Sequence, residues 1–596
     1  MAFYRNFVKI LFGCSILLAV SAWSLEQDSG SKSTAIPVLP PVERSSPVIK
    51  TTEDKSDIIL TKQSSENTSL GFPRYLSALQ LDGYLRLRGN IFRNGHLKTH
   101  APGVGGTSNF LPNLSAYEED SDGSAPNPDQ NNYSANMRLR LNPTINISEL
   151  TRIKTTVDIF DNLVLGSTPN YLRSPAAFLS MSQDPASSGI NQWQNTIALK
   201  RAWGEANFPI GELRFGRMPM NWGLGILYNS GDSITSDYGD QIDGVMFTTR
   251  LFDHFVTPSY SIAYTGPSER GGGFFKSPIN NISHRLWDQS GQKYARESSD
   301  IAHVFSLSFL KRDSDFITDK KIAESKAIFN YGLFASYRFQ DMDSHIPDPK
   351  DNKLILVKRD GHIGMGSLWT SLSYKTFHIE AELAGIWGKY RRGEKNDPLA
   401  LAGQTSPQSL WLLQGGIALE SRLGFLDDRL QVGLDAGVAS AQSGPGFGTQ
   451  EEKGVSESQK NPSAGKYKSN FKFNPAYTVD LLLYREILGG ISGTYYFKPH
   501  VSYFFSRNFG LRGDAISSFA LDKSNTSGDS NLLGIELDAS AFLRTENGFY
   551  FSLAYGVLFP LKGLNHSATA LTGSQHKLYG SAQVAQTLQL YLGLLF

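Results

Sequence analysis

From Leu79 the chain alternates with a period of two: Leu79, Leu81, Gly83, Leu85, Leu87, Gly89 and Ile91 interleave with Gln80, Asp82, Tyr84, Arg86, Arg88 and Asn90. That period places each set on one face of a β-strand. Tyr133, Ala135, Met137, Leu139 and Leu141 repeat the scheme against Ser134, Asn136, Arg138, Arg140 and Asn142, so two neighbouring strands carry arginines opposite an apolar face. The alternation returns in 151–161, 196–208, 212–218, 241–252, 255–265, 300–311, 327–339, 362–374, 377–389, 410–423 and 429–441, and again in 497–506, 509–521, 531–544, 549–560 and 576–596. Most runs hold about ten to fourteen residues, longer than the roughly five or six of a globular strand. They suit a tilted crossing of a bilayer.

The connections alternate as well. Those at 208–211, 374–377, 424–428 and 545–548 are short, whereas 94–131, 162–195, 266–299, 390–409 and 442–474 are long and polar. Short turns on one side and long loops on the other are the pattern of bacterial outer-membrane barrels, which have an even strand number. The pattern predicts an all-β fold, a transmembrane antiparallel β-barrel of about 18 strands, with 16 or 20 as the alternatives. The stretch 477–491 has a local strand pattern, but counting it breaks the parity. We therefore assign 442–496 to one long excursion that can fold into the lumen.

The ends of the chain specify the compartment. Arg5 and Lys9 precede an apolar run from Ile10 to Val20 that finishes in small residues, the layout of a secretory signal peptide cleaved after Ala22 or Ser24. Lipidation at Cys14, the only cysteine, is the rival reading. Residues 1–24 are thus expected to be a signal peptide, 25–77 a disordered periplasmic lead-in rich in Ser, Thr, Pro, Lys and Glu, and 78–596 the barrel. Leu588, Leu590, Leu592, Leu594 and Phe596 share one face of the last run, and this aromatic end suggests a signal read by the barrel-assembly machinery.

With 57 Lys+Arg against 56 Asp+Glu the net charge is +1, which removes any global electrostatic case for a nucleic-acid partner. The expected partners are outer-membrane lipid, the assembly machinery and small hydrophilic solutes, with the oligomeric state open. A segment reading Gly216-Arg217-Met218-Pro219-Met220-Asn221-Trp222-Gly223-Leu224-Gly225, followed by Asp237-Tyr238-Gly239-Asp240-Gln241-Ile242-Asp243, resembles a block of uncharacterised porin-like outer-membrane proteins of Gram-negative bacteria. Asn474-Pro475 through Pro499 resembles the same family. The similarity, which extends distantly to alginate-export-type barrels, implies a barrel and a passage without naming a solute. Where that family carries an acidic residue after Pro475, this chain has Ala476.

No nucleophile elbow, paired zincin histidines or glycine-rich phosphate loop is present, and no enzyme activity or cofactor is expected. His254, His303, His362 and His378 fall singly on different strands. A charge facing lipid at the midplane costs about 2 to 4 kcal/mol for Arg or Lys, so strand charges opposite apolar faces belong in the lumen. Arg86, Arg88, Arg138, Arg140 and Lys154 then form a basic wall, and Glu380 and Glu382 an acidic one half-way round. Facing walls of opposite sign would set up a transverse field. The plainer alternative is that these charges pair with one another in a filled lumen.

Asp232, Asp237, Asp240 and Asp243 form an acidic loop whose spacing departs from a calcium-binding EF-hand loop, so no metal is expected. Tyr503, Phe551, Tyr555, Trp369 and Trp387 read as a lipid-facing girdle. Three functions fit: a channel for hydrophilic solutes, anions among them; a dedicated exporter or importer of a polysaccharide or other polyanion; and a structural or adhesive surface barrel with a closed pore.

Overall fold

A computed structural model describes residues 78–95, 97, 131–165, 197–264, 301–345, 355–391, 409–442, 467–526, 528–565 and 581–596. The expected signal peptide, the lead-in and most of the long loops lie outside the described residues.

Eighteen strands form the wall: β1 (Leu79–Arg93), β2 (Asn131–Asn146), β3 (Thr151–Val164), β4 (Ile197–Phe208), β5 (Gly211–Pro219), β6 (Gln241–Leu251), β7 (His254–Tyr264), β8 (Ile301–Lys311) and β9 (Ile328–His345) in the first half. The second half has β10 (Ile355–Tyr374), β11 (Phe377–Arg391), β12 (Ser409–Phe425), β13 (Leu430–Ala439), β14 (Thr494–Phe504), β15 (Phe509–Ala520), β16 (Leu532–Arg544), β17 (Phe549–Pro560) and β18 (Ala585–Leu595). Each pairs antiparallel with its neighbours in the chain, and β1 also pairs with β18, which closes the barrel. Backbone bonds in both directions between Gly83 and Phe596 finish this seam. A two-residue strand, Tyr467–Lys468, runs parallel to β12 and is not part of the wall. The stretch 477–491 forms no strand and turns through a short π-helix, Leu483–Ile487. The connection between β8 and β9 holds the one helix of ordinary pitch among the described residues, α1 (Asp315–Ala323), capped by Ser314.

Register keeps like faces together. Leu85 lies between Leu594 and Leu139, while Arg86 lies between Gly593 and Arg138. Leu85 and Leu594 are exposed on the outside and Arg86 is fully buried inside. Large apolar side chains cover the outer surface, from Leu81 and Leu85 to Leu553, Tyr555 and Leu594. Such a surface is stable only against lipid, and burying it is what selects the membrane over water. Leu85→Arg is therefore expected to cost about 2 to 4 kcal/mol and to lower the folded fraction on a heat-modifiability gel. An unchanged folded fraction would mean that the lipid face has been misidentified.

One expected girdle residue is misplaced. Trp369 points inward, where its indole N–H donates to Glu380 at 2.6 Å, because it shares the inward row of β10 and β11 with Glu382. Trp387, Tyr503 and Tyr555 are exposed on the outside.

Candidate functional site

Two segments fold into the lumen. The first, 220–240, leaves the wall at Pro219, which has no N–H to continue a ladder. Its base is closed by Met220 N–H to Asp240 O at 3.1 Å and Asp240 N–H to Asn229 O at 2.7 Å. Gly223 has φ +56°, and a Cβ there would meet Glu382 Oε2 at 2.7 Å, so both conformation and space call for glycine. Glu382 is completely buried and accepts from the backbone N–H of Gly225 at 2.9 Å and Ile226 at 3.2 Å, and from Ser367 Oγ at 3.0 Å. It anchors the segment across the bore.

The tip of this segment covers the basic wall. Asp237 receives Arg86, Arg88 and Arg138 at 3.1, 2.6 and 3.3 Å. The Arg86 and Arg138 guanidinium groups also donate to the carbonyls of Ile234 and Ser236, each at 2.8 Å. Arg138 reaches Asp161 at 2.6 Å, Arg140 grips Asp158 with two bonds at 2.7 and 2.8 Å, and Lys154 lies 3.4 Å from Glu205. Burial by itself would push the Asp237 carboxyl up, but the guanidinium groups of Arg88 and Arg86 beside it hold it well below the usual carboxylate range. The basic wall is thus inside the barrel and largely paired.

The four aspartates expected to form an acidic loop diverge. Asp232 binds Arg201 at 2.7 Å, and Asp240 accepts from the Asn229 backbone N–H at 2.9 Å. Asp243 is not in the loop at all: it stands in β6 and pairs with Arg217 at 2.6 Å. Among the described residues no cluster of three or more His, Cys, Asp or Glu is arranged to hold a metal.

The second segment, 469–493, builds an apolar core within the lumen. Phe471, Phe473, Leu482, Leu483, Ile487 and Ile491 are buried against small inward residues of the wall, including Ala384, Ala418, Ala439, Ala520 and Ala585. Glu536 of β16 holds the segment through three backbone N–H groups, those of Leu481, Leu482 and Leu483, at 3.0, 2.8 and 2.9 Å. Asp480 then accepts from Tyr484 N–H at 2.7 Å and Arg485 N–H at 3.1 Å, which caps the π-turn. The two segments are joined by Asn474, whose N–H donates to Ile226 O at 2.9 Å and whose side-chain amide donates to Asp240.

Between the segments lies a narrow cleft bordered by Asp237, Tyr238, Ala476, Tyr477 and Arg485. Ala476 leaves this border without a carboxylate at that point. Arg485 is steadied by Tyr591 Oη at 3.2 Å and by Glu486 at 3.5 Å. The wall facing the arginines carries more acid than Glu380 and Glu382. Glu420, Asp435, Asp514, Glu536 and Asp538 also point inward from β12, β13, β15 and β16, with Lys498, Arg512 and His500 set among them.

Burial pushes the Asp480 carboxyl up to about 6. A raised carboxyl pKa means that the folded state binds the proton more tightly than the unfolded chain. The stability it contributes is complete below the ordinary value of 3.8 and is lost as the pH rises through about 6. The thermal midpoint in detergent is expected to fall between pH 4 and 7 by an amount worth a few kcal/mol, and Asp480→Asn should flatten that slope. A slope identical in the variant would exclude Asp480 as its source.

A closed eighteen-strand wall, apolar outside and charged within, defines a porin-like outer-membrane β-barrel. No known family profile and no curated protein matches the chain. Among solved structures it is similar to OccAB3 of Acinetobacter baumannii, with 9% identity over 87% of this chain and 99% of that one and a TM-score of 0.43. It is also similar to OccK8 (OprE) of Pseudomonas aeruginosa (9% identity, 87% and 98% covered, TM-score 0.41) and to a BenF-like porin from Pseudomonas fluorescens Pf-5 (9%, 87% and 99%, 0.40). The barrel fold rests on this chain's own strand pairing, and the alginate-export resemblance gains no support.

Proposed function

We propose that this protein is an outer-membrane channel that passes small hydrophilic solutes through the cleft between its two inward segments, with a preference for anions. The observation that carries the reading is the division of charge. Arginines of β1 and β2 occupy one part of the inner wall and carboxylates of β11 to β16 another, and the two inward segments with the cleft between them lie inside that wall. Such a division orients polar solutes across a narrow passage. Arg86, Arg88, Arg138, Arg140 and Lys200 outnumber Asp158, Asp161 and Asp237 by five to three, and Arg485 is set beside Glu486, so the basic side keeps a local positive excess. This excess supports the anion preference.

A polyanion exporter would need its guanidinium groups open along a file, whereas here Asp237 and Asp158 occupy them. The apolar core around 471–491 supports instead the alternative of a surface barrel with a closed pore. Planar-bilayer recording of the refolded protein separates these readings. A small, steady conductance with anions more permeant than cations is expected. Absence of conductance from protein shown to be folded would favour the closed barrel.

A further inference from the structure

We infer that a second copy of this chain docks on the outward face of β4 to β6, around the ion pair of Arg217 and Asp243. These residues are direct cross-strand partners, joined by two bonds at 2.7 and 2.6 Å, with side chains 50% and 43% exposed. They face outward, because the next pair on the same face, Phe215 and Val245, is exposed too.

Their height is the anomaly. Arg217 stands six residues above Gly211, and Asp243 eight above the end of β6 at Leu251. At about 3.4 Å per residue and a tilt near 40°, these are heights of roughly 16 and 21 Å, within an apolar band about 25 Å tall. The lower edge of the band is marked by the apolar turn residues Ile210 and Phe252, which are 72% and 96% exposed. Arg217 and Asp243 are each two residues from a strand end, but their strands are short, whereas Lys389, also two residues from its strand end on the outer face, stands twelve residues above the turn at Phe377, high enough to reach water. Arg217 and Asp243 would therefore face hydrocarbon in an isolated barrel.

A second copy removes the conflict. A patch with one cation and one anion side by side is self-complementary under a two-fold axis along the membrane normal, so Arg217 of each copy can meet Asp243 of the other. The surroundings allow close approach: the cross-strand neighbour of Arg217 on β4 is Ala202, followed on the same face by Gly204. Phe215 and Val245 supply apolar contact beside the charges. The wall is also low here, since β5 has 9 residues against 20 in β10.

The test uses full-length protein with Cys14→Ser, carrying Phe215→Cys or, as a control on the far wall, Leu537→Cys, and a short bis-thiol-reactive linker applied to outer membranes. A product of twice the chain mass is expected with Phe215→Cys at a yield at least tenfold above Leu537→Cys. Arg217→Glu should reduce it at least tenfold, and the swap Arg217→Asp with Asp243→Arg should restore it, with folding of each variant checked by heat-modifiable migration. Equal yields at the two cysteines, a linked product of any other mass, or undiminished linking in folded Arg217→Glu would overturn the inference. If Arg217→Glu fails to fold, an unrestored yield in the folded charge swap would overturn it as well.

Discussion

Glu536→Leu is expected to raise single-channel conductance at least twofold and to make it flicker. The carboxylate satisfies three buried backbone N–H groups at once, and leucine satisfies none. Each orphaned donor costs about 1 to 3 kcal/mol, or roughly 3 to 9 kcal/mol together. Against this stands the burial of Leu482, Leu483, Ile487, Leu488 and Ile491, at about 1.5 to 3 kcal/mol each. Burial, at roughly 7.5 to 15 kcal/mol together, exceeds the loss, so the segment should loosen at 479–484 without leaving the barrel. Glu536→Gln keeps one acceptor and should lie between leucine and wild type. Unaltered conductance in folded Glu536→Leu would show that the 469–493 segment does not limit the passage.

Asp237→Asn should shift permeability toward anions by about fourfold. The substitution preserves size and one acceptor while removing the charge shared by Arg86, Arg88 and Arg138. A unit charge about 5 Å from the path contributes roughly 0.8 kcal/mol even at the dielectric constant of water, which is the stated factor. Stability should fall at the same time by about 3 to 5 kcal/mol, the usual consequence of taking one partner from buried charges. Reversal potentials in a salt gradient give the first effect and thermal unfolding the second. An unchanged permeability ratio would mean that Asp237 lies away from the route of the ions.

The wall was legible because alternation is a local signal: each of the eighteen runs in the sequence coincides with a strand, and parity correctly set 477–491 apart. Inside the barrel the signal fades. Ala384, Ala418 and Ala439 look like weak members of a polar face, yet they are the floor of an apolar core, since only small residues leave room for Phe471 and Phe473. Glu536 was not singled out because its partners are backbone N–H groups, which every residue but proline carries. Trp369 was read outward because an aromatic residue in a barrel strand suits either face, and only its pairing with Glu382 in the register separates them. Arg86 and Arg138 could be assigned to the lumen from alternation, but nothing local indicates that Asp237, about a hundred residues or more away, would cover them.

The seam between Gly83 and Phe596 has a kinetic meaning. The two strands that meet there are the first and the last of the wall, so closure must bring together residues some five hundred positions apart in sequence. Contacts of such separation form slowly, because loop entropy is lost before any pairing repays it. Until then β1 and β18 present open edges able to pair with other chains. The apolar segment at 469–493 counters this: the strands around it, β11 to β18, can wrap onto it before the seam exists, so it acts as a mandrel that brings the final edge within reach of the first.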